Sequence, residues 1–356
     1  FRSIICKMKI KSIMTVVGLQ LVFQAVSGQQ ILQQYYHGNK DSMLNDATRL
    51  ISLPFSGFRK LNTDKPAEKM MSADDSGHMY KAKDCYFKVR DHKKIYAAEF
   101  KSASRNTIIL IHGVGTDAAY YNSTAGLLRS ATGAEVYAID LRGHGKSEGR
   151  SGDVDYIDQY ADDVEDIVNA IRKRKPGGKV IIAGHSMGGG VSLQYARHTK
   201  TARADGYILL APLIGQNSPA IRQNQAPASD SIEPFMLIDF AKIIGLKMLN
   251  ELNDHSHDSL PVLFLNLPEN SRTRTYTYRA NMSSSPEDYT TGLKALNQPT
   301  LVLIGTADEV FDAAALKKAV LENSAAKFQL IENATHNSLR YNPLAIECIK
   351  KWFTAL

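Results

Sequence analysis

The chain has 356 residues, 44% of them apolar and 22% charged, the composition of a globular protein able to bury a large core. Its formal net charge is +7, but Arg2, Lys7, Lys9 and Lys11 all precede residue 28, where no acidic residue occurs, so the remainder is nearly balanced. With no basic stripe interleaved with aromatics, a nucleic-acid partner is excluded, and the length fits one α/β domain carrying an insertion.

Met8-Lys9-Ile10-Lys11 is a short cationic start, and Ile13 to Val26 is apolar except for Thr15, Gly18 and two glutamines. Small residues at Ala25 and Ser27 precede Gly28, so residues 1–27 are expected to form a cleaved secretory signal peptide, with 1–7 upstream of the true start. The run falls short of the ~20 residues that span a bilayer. A secreted or periplasmic location follows as an expectation. Export would permit a disulfide between Cys85 and Cys348; equally, Cys348 lies in an apolar helical pattern and reads as an inert thiol.

Residues 28–84 are polar, with turn signals at Pro54, Gly57 and Pro66, and suggest an extension holding one helix near 41–51. From residue 85 a regular alternation begins. Strands are predicted at 86–89, 94–100, 107–111, 135–139, 179–183 and 206–211, with helices at 118–131, 155–174 and 187–198. Residues 215–295 break the rhythm and include an apolar stretch, Phe235 to Leu249, that reads as a helix. Strands at 300–305 and 327–331 and helices at 312–323 and 342–355 complete the chain. The continuous apolar strands imply a mainly parallel central sheet covered by helices on both faces. The expected organisation is a core in two parts, 85–214 and 296–356, interrupted by a helical cap or lid at 215–295 above the carboxyl ends of the strands. That cap helix reads either as packing onto the core or as a transient contact with a lipid surface.

The chemistry concentrates where the strand Lys179–Ala183 runs into Gly184-His185-Ser186-Met187-Gly188 and a helix follows. This is the G-x-S-x-G nucleophile elbow, which presents Ser186 on a tight turn at a helix N-terminus. A serine hydroxyl needs a base, and the base needs an orienting acid. Asp308 follows the strand at 300–305 and His336 follows the strand at 327–331, in the order Ser, Asp, His expected of this arrangement. Glu309 and Asp312 lie close enough to replace Asp308. Oxyanion donors are expected from the Met187 and Val114 amides. His112, Gly113, Tyr120 and Tyr121 are candidate substrate contacts, although the tyrosines read equally as packing beneath the pocket. No cofactor or metal is called for. His185, Arg142 and His144 read as structural, and Arg272, Arg274 and Arg279 as either a head-group site or a solvated surface.

Ile111-His112-Gly113-Val114-Gly115, the run Asp140-Leu141-Arg142-Gly143-His144-Gly145-Lys146-Ser147-Glu148-Gly149, the elbow, and the Asp308 and His336 loops together resemble the α/β-hydrolase superfamily. The similarity is greatest to its monoglyceride lipase and lysophospholipase-like branch and covers about residues 85–356. It implies an α/β-hydrolase fold, hydrolysis of carboxylic esters, often lipid esters such as monoacylglycerol or lysophospholipid, and the catalytic and oxyanion positions already named. A peptidase or amidase on the same scaffold is the nearest alternative, and a non-catalytic binding module is the alternative of a different class. Members with Asp at the elbow, such as dehalogenases and epoxide hydrolases, are disfavoured by Ser186.

Overall fold

The structure, a computed structural model, describes residues 39–58, 79–199, 201–222 and 234–356. The expected leader lies outside the described residues.

Eight strands form the central sheet: β1 (Lys83–Lys88), β2 (Lys94–Phe100), β3 (Thr107–Ile111), β4 (Glu135–Ile139), β5 (Val180–His185), β6 (Gly206–Leu210), β10 (Thr300–Gly305) and β11 (Lys327–Ile331). Their spatial order is β1-β2-β4-β3-β5-β6-β10-β11. β2 pairs antiparallel with β1 and β4, and every other pairing is parallel. Every residue of β3, β4, β5, β6 and β10 is buried, which is why these strands read as unbroken apolar runs. The edge strands β1 and β11 alternate or turn polar where they meet water.

The helices flanking the front half are α2 (Asn122–Thr132), α3 (Gln159–Arg174) and α4 (Met187–His198), and α9 (Pro343–Thr354) closes the chain. The chain moves from β3 to β4 in one direction across the sheet and from β4 to β5 in the other. Right-handed crossovers therefore put α2 and α3 on opposite faces. α2 packs on α9, and α3 packs on α4. The reversal leaves β3 and β5 side by side, with Ile111 level with Gly184. A crevice at the carboxyl ends of two such strands is where ligands bind in open α/β sheets.

The segment expected to be a helical cap contains a sheet as well. β7 (Met236–Ile238), β8 (Pro261–Leu265) and β9 (Thr275–Thr277) form an antiparallel triplet, joined by α5 (Phe240–Glu251), α6 (Tyr278–Ser283) and α7 (Tyr289–Lys294). Residues 235–239 thus leave the helical expectation. α5 starts only at Phe240, where the Asp239 carboxylate accepts from the Lys242 amide at 2.9 Å. Strands of three residues are too short to show alternation, so the pattern merged them with the helix.

The helix expected near 41–51 is α1 (Lys40–Ile51), capped by Asn39. It packs against α5, not against the central sheet. Met43 and Ala47 join Leu246, Met248, Leu249, Val262 and Tyr278 in a second apolar cluster apart from the main core. α8 (Ala313–Asn323) follows β10. Cys85 and Cys348 are both free thiols, so the disulfide left open by the sequence is not formed.

Candidate active site

Ser186 sits between β5 and α4 with φ 54° and ψ −119°, a left-handed conformation that costs a non-glycine residue of order 1–3 kcal/mol. The turn exists because its neighbours lack side chains: a Cβ on Gly184 would strike the Gly188 carbonyl, and one on Gly188 would strike the Ile111 carbonyl. The Ser186 side chain makes no capping hydrogen bond, so its hydroxyl is left for other chemistry. Its carbonyl accepts from the Gly189 and Leu213 amides, each at 3.0 Å, which holds the strained backbone in place. Met187 opens α4, where amide hydrogens have no acceptor within the helix.

Asp308 and His336 emerge from the carboxyl ends of β10 and β11. His336 Nδ1 lies 2.9 Å from Asp308 Oδ2, and both residues are buried. Asp308 Oδ1 accepts from the Val310 and Phe311 amides at 2.9 and 2.7 Å, so the carboxylate is fixed on both oxygens. It follows that Nδ1 carries the proton and Nε2 of His336 is the free base position. Glu309 and Asp312 do other work. The Glu309 carboxylate accepts the His336 backbone N–H at 2.9 Å, and Asp312 caps α8.

His185 ties the histidine loop to the elbow. Its Nε2 donates to the His336 carbonyl at 2.9 Å, and its Nδ1 accepts from the Tyr121 hydroxyl at 2.6 Å. The same hydroxyl accepts the Gly113 N–H at 2.9 Å. Burial, with the nearby Arg340 charge, holds His185 far below the usual histidine range, so it stays neutral in this role. Arg340, itself buried, lies 4.4 and 4.6 Å over the rings of Tyr120 and Tyr121. It also donates from Nε to the Asn337 carbonyl at 3.1 Å.

The loop after β3 carries the other expected donor. The Gly113 carbonyl takes hydrogen bonds from His112 Nδ1 and Thr116 Oγ1, both at 2.8 Å. The chain has no cis peptide bond among the described residues, so the Val114 N–H points opposite to that carbonyl. A Cβ on Gly113 would lie 3.5 Å from the Ser186 Cβ, which places this loop beside the serine.

His112 was expected as a substrate contact, but it is buried and spends both ring nitrogens on the backbone. Nε2 accepts the Leu141 N–H at 3.0 Å, and burial keeps the ring neutral. The Tyr121 hydroxyl is likewise committed to Gly113 and His185, and the half-buried Tyr120 ring faces Arg340. These side chains brace the crevice. Arg142 is buried between Asp91 and Asp163, as its structural reading required.

A family model described as serine aminopeptidase, S33, matches residues 102–341, about two thirds of the chain. The chain belongs to this family. Among curated relatives, a monoacylglycerol lipase of Mycolicibacterium smegmatis is 32% identical over 141 residues, covering 40% of this chain and 45% of the relative. The monoglyceride lipase of Rattus norvegicus is 36% identical over 110 residues, 31% of this chain and 36% of the relative. The chain thus spans less than half the length of these two. A monoglyceride lipase homolog of Monkeypox virus is 24% identical over 260 residues, 71% of this chain and 90% of the relative. Two solved structures share the architecture: the α/β hydrolase GrgF from Penicillium sp. sh18 (TM-score 0.55, 17% identity, 78% of this chain and 99% of that one) and a monoacylglycerol lipase of Paleococcus ferrophilus (TM-score 0.50, 20% identity, 72% and 99%). The α/β-hydrolase fold implied by the sequence motifs is the observed fold.

In this S33-family chain, the details that sequence reasoning missed are partners distant along the chain. His185 is structural, as expected, but its partners, the Tyr121 hydroxyl and the His336 carbonyl, were not legible. Tyr276 stood among three cap arginines. Of those, Arg279 pairs with Asp153 at 2.8 Å, and Arg272 donates to carbonyls at 144, 145 and 149, so both staple the cap to the loop after β4.

Proposed function

We propose that the protein is a serine hydrolase that cleaves carboxylic esters through an acyl-enzyme, with monoacylglycerol or lysophospholipid-type lipids as its substrate class. The observation that carries this reading is the joining of three loops. The buried Asp308–His336 pair is hydrogen-bonded through the His336 carbonyl to the residue preceding a strained, uncapped Ser186. In the proposed reaction His336 Nε2 takes the Ser186 proton as Oγ attacks the ester carbonyl. The Met187 and Val114 amides receive the oxyanion. His336 then returns the proton to the leaving alcohol, and a water activated by the same nitrogen releases the acid. Asp308 keeps the imidazole in one tautomer and stabilises its charged form. The lipid substrate class rests on the names of three curated relatives, a monoacylglycerol lipase, a monoglyceride lipase and a monoglyceride lipase homolog.

The family description favours a second reading, an aminopeptidase, which shares the first half-reaction. One comparison separates the readings. Purified protein is labelled with a fluorophosphonate and assayed on monoacylglycerol, lysophospholipid, p-nitrophenyl esters and aminoacyl amides. Stoichiometric labelling lost in Ser186→Ala, with turnover of the esters, is expected. Preferential turnover of the amides would transfer the assignment to a peptidase, and a folded protein that resists labelling would indicate a binding module.

A further inference from the structure

The cap reaches into the oxyanion loop. The Gly115 N–H lies 2.8 Å from the hydroxyl of Tyr276, at the centre of β9, and that hydroxyl lies 2.8 Å from His144 Nε2. The direction of each bond is fixed by chemistry. An amide only donates, so the phenol oxygen accepts from Gly115. His144 Nδ1 faces the Arg142 carbonyl at 2.9 Å and must carry the ring proton, so Nε2 is an acceptor and receives the phenol hydrogen. Burial pushes His144 down to about 3, which leaves it neutral and keeps that acceptor available. Tyr276 and His144 are both buried. Two cap leucines complete the contact. Gly115 has φ +68°, and a Cβ there would lie 2.6 Å from Leu265 Cδ1 and 3.1 Å from Leu267 Cδ1.

We infer that Tyr276 is a positioning residue for the oxyanion donor: the cap, through its hydroxyl, holds the Gly115 amide and so sets the aim of the neighbouring Val114 N–H. This rests on the acyl-transfer reading above. Three other backbone groups at this corner have partners. Gly113 N–H goes to Tyr121, Gly113 C=O to His112 and Thr116, and Gly115 N–H to Tyr276. Three of these partners belong to the core, and the fourth belongs to the cap. The cap thus supplies one of the four holds on the loop, and the one nearest the Val114–Gly115 peptide, which makes it part of the catalytic apparatus as well as a cover. His144, which the sequence left as a loop brace, has a defined task here: it orients the phenol.

The test is Tyr276→Phe, which keeps the ring in its packing and removes only the oxygen. Loss of a single oxyanion donor lowers kcat by about 10²- to 10³-fold. Misaligning a donor without deleting it should cost less, so kcat is expected to fall roughly tenfold to a hundredfold with KM unchanged within twofold. Inhibition by a trifluoromethyl ketone, which forms a tetrahedral adduct, should weaken in parallel with kcat. A cap that merely shapes the pocket would instead raise KM and spare both kcat and ketone affinity, and that result overturns the inference. His144→Gln, which keeps an acceptor near the position of Nε2, should retain most of the activity, and His144→Leu should behave like Tyr276→Phe. The clamp is also read without activity, by amide hydrogen exchange at Gly115, which should speed up in Tyr276→Phe. Unchanged exchange refutes the clamp. A wild-type protein inactive on esters refutes the acyl-transfer reading and leaves the exchange result to decide the clamp alone.

Discussion

At the scale of single residues, the acid partner of His336 is the point at which sequence left a choice and geometry made one. Asp308, Glu309 and Asp312 fall within five positions on one loop, and no spacing rule ranks them. The structure gives Asp308 the imidazole Nδ1, gives Glu309 the His336 backbone amide, and gives Asp312 the first turn of α8. Asp308→Asn is therefore expected to lower kcat by about 10³- to 10⁴-fold, as removal of the orienting carboxylate does in a serine triad. Glu309→Gln should cost less than about tenfold, because it alters a tether on the His336 backbone and not the carboxylate facing the ring. Steady-state ester hydrolysis by the two variants checks this. A near-silent Asp308→Asn beside a crippled Glu309→Gln would reverse the assignment. Ser186 itself was legible because glycine spacing, a buried strand and a helix start coincide in ten consecutive residues, 179–188. His185 was read as structural, but its partners were not legible, because its two hydrogen bonds reach Tyr121 and the His336 loop, and nothing local marks them.

At the scale of elements, the apolar circumference of α5 had two expected explanations, lipid contact or packing onto the core. The structure puts α1 there. Gly245 is the point of closest approach: a Cβ would meet the Ala47 carbonyl and Ile51 Cγ2, both at 2.8 Å. The α1 amphipathic pattern was readable, since Met43 and Ala47 are four apart and both buried, but its destination was not. The cluster lies apart from the main core, so damage to it should stay in the cap. Leu246→Ala, at a fully buried site, is expected to cost about 2–5 kcal/mol locally. Hydrogen exchange should then rise over 40–51 and 240–251 while β3, β5 and β6 keep their protection. Simultaneous loss of protection in the central strands would show that cap and core unfold as one unit.

At the scale of the whole molecule, the buried histidines His112, His144 and His185 couple stability to pH. Each is held below the unfolded value of about 6.5. Above that pH both states are neutral and stability is at its full value. As pH falls, the unfolded chain takes up protons that the folded chain refuses, so stability is lost toward about 3 for His144. Asp153 adds to the loss at lower pH. Burial raises its pKa, but hydrogen bonds from Arg279, Arg150 and Thr277 outweigh that, so its contribution also disappears in acid. Urea unfolding should show a loss of at least ~2 kcal/mol between pH 6.5 and 5, on the basis of about 1.4 kcal/mol per pH unit for each such group. Burial holds Asp163 up at about 6 and raises Asp140, which opposes this loss, so a flat stability curve over that interval would mean that the histidines do not dominate it.

The sequence by itself determined the alternation of strands and helices, the nucleophile elbow, and the loops that deliver Asp308 and His336, because buried strands and tight turns write their periods and glycines locally. Only the tertiary structure decided which carboxylate meets the imidazole, that α1 packs on α5, and that the Tyr276 hydroxyl accepts a hydrogen bond from the loop after β3. Each of those contacts joins residues separated by tens to hundreds of positions, and side-chain geometry across such distances leaves no period in the chain.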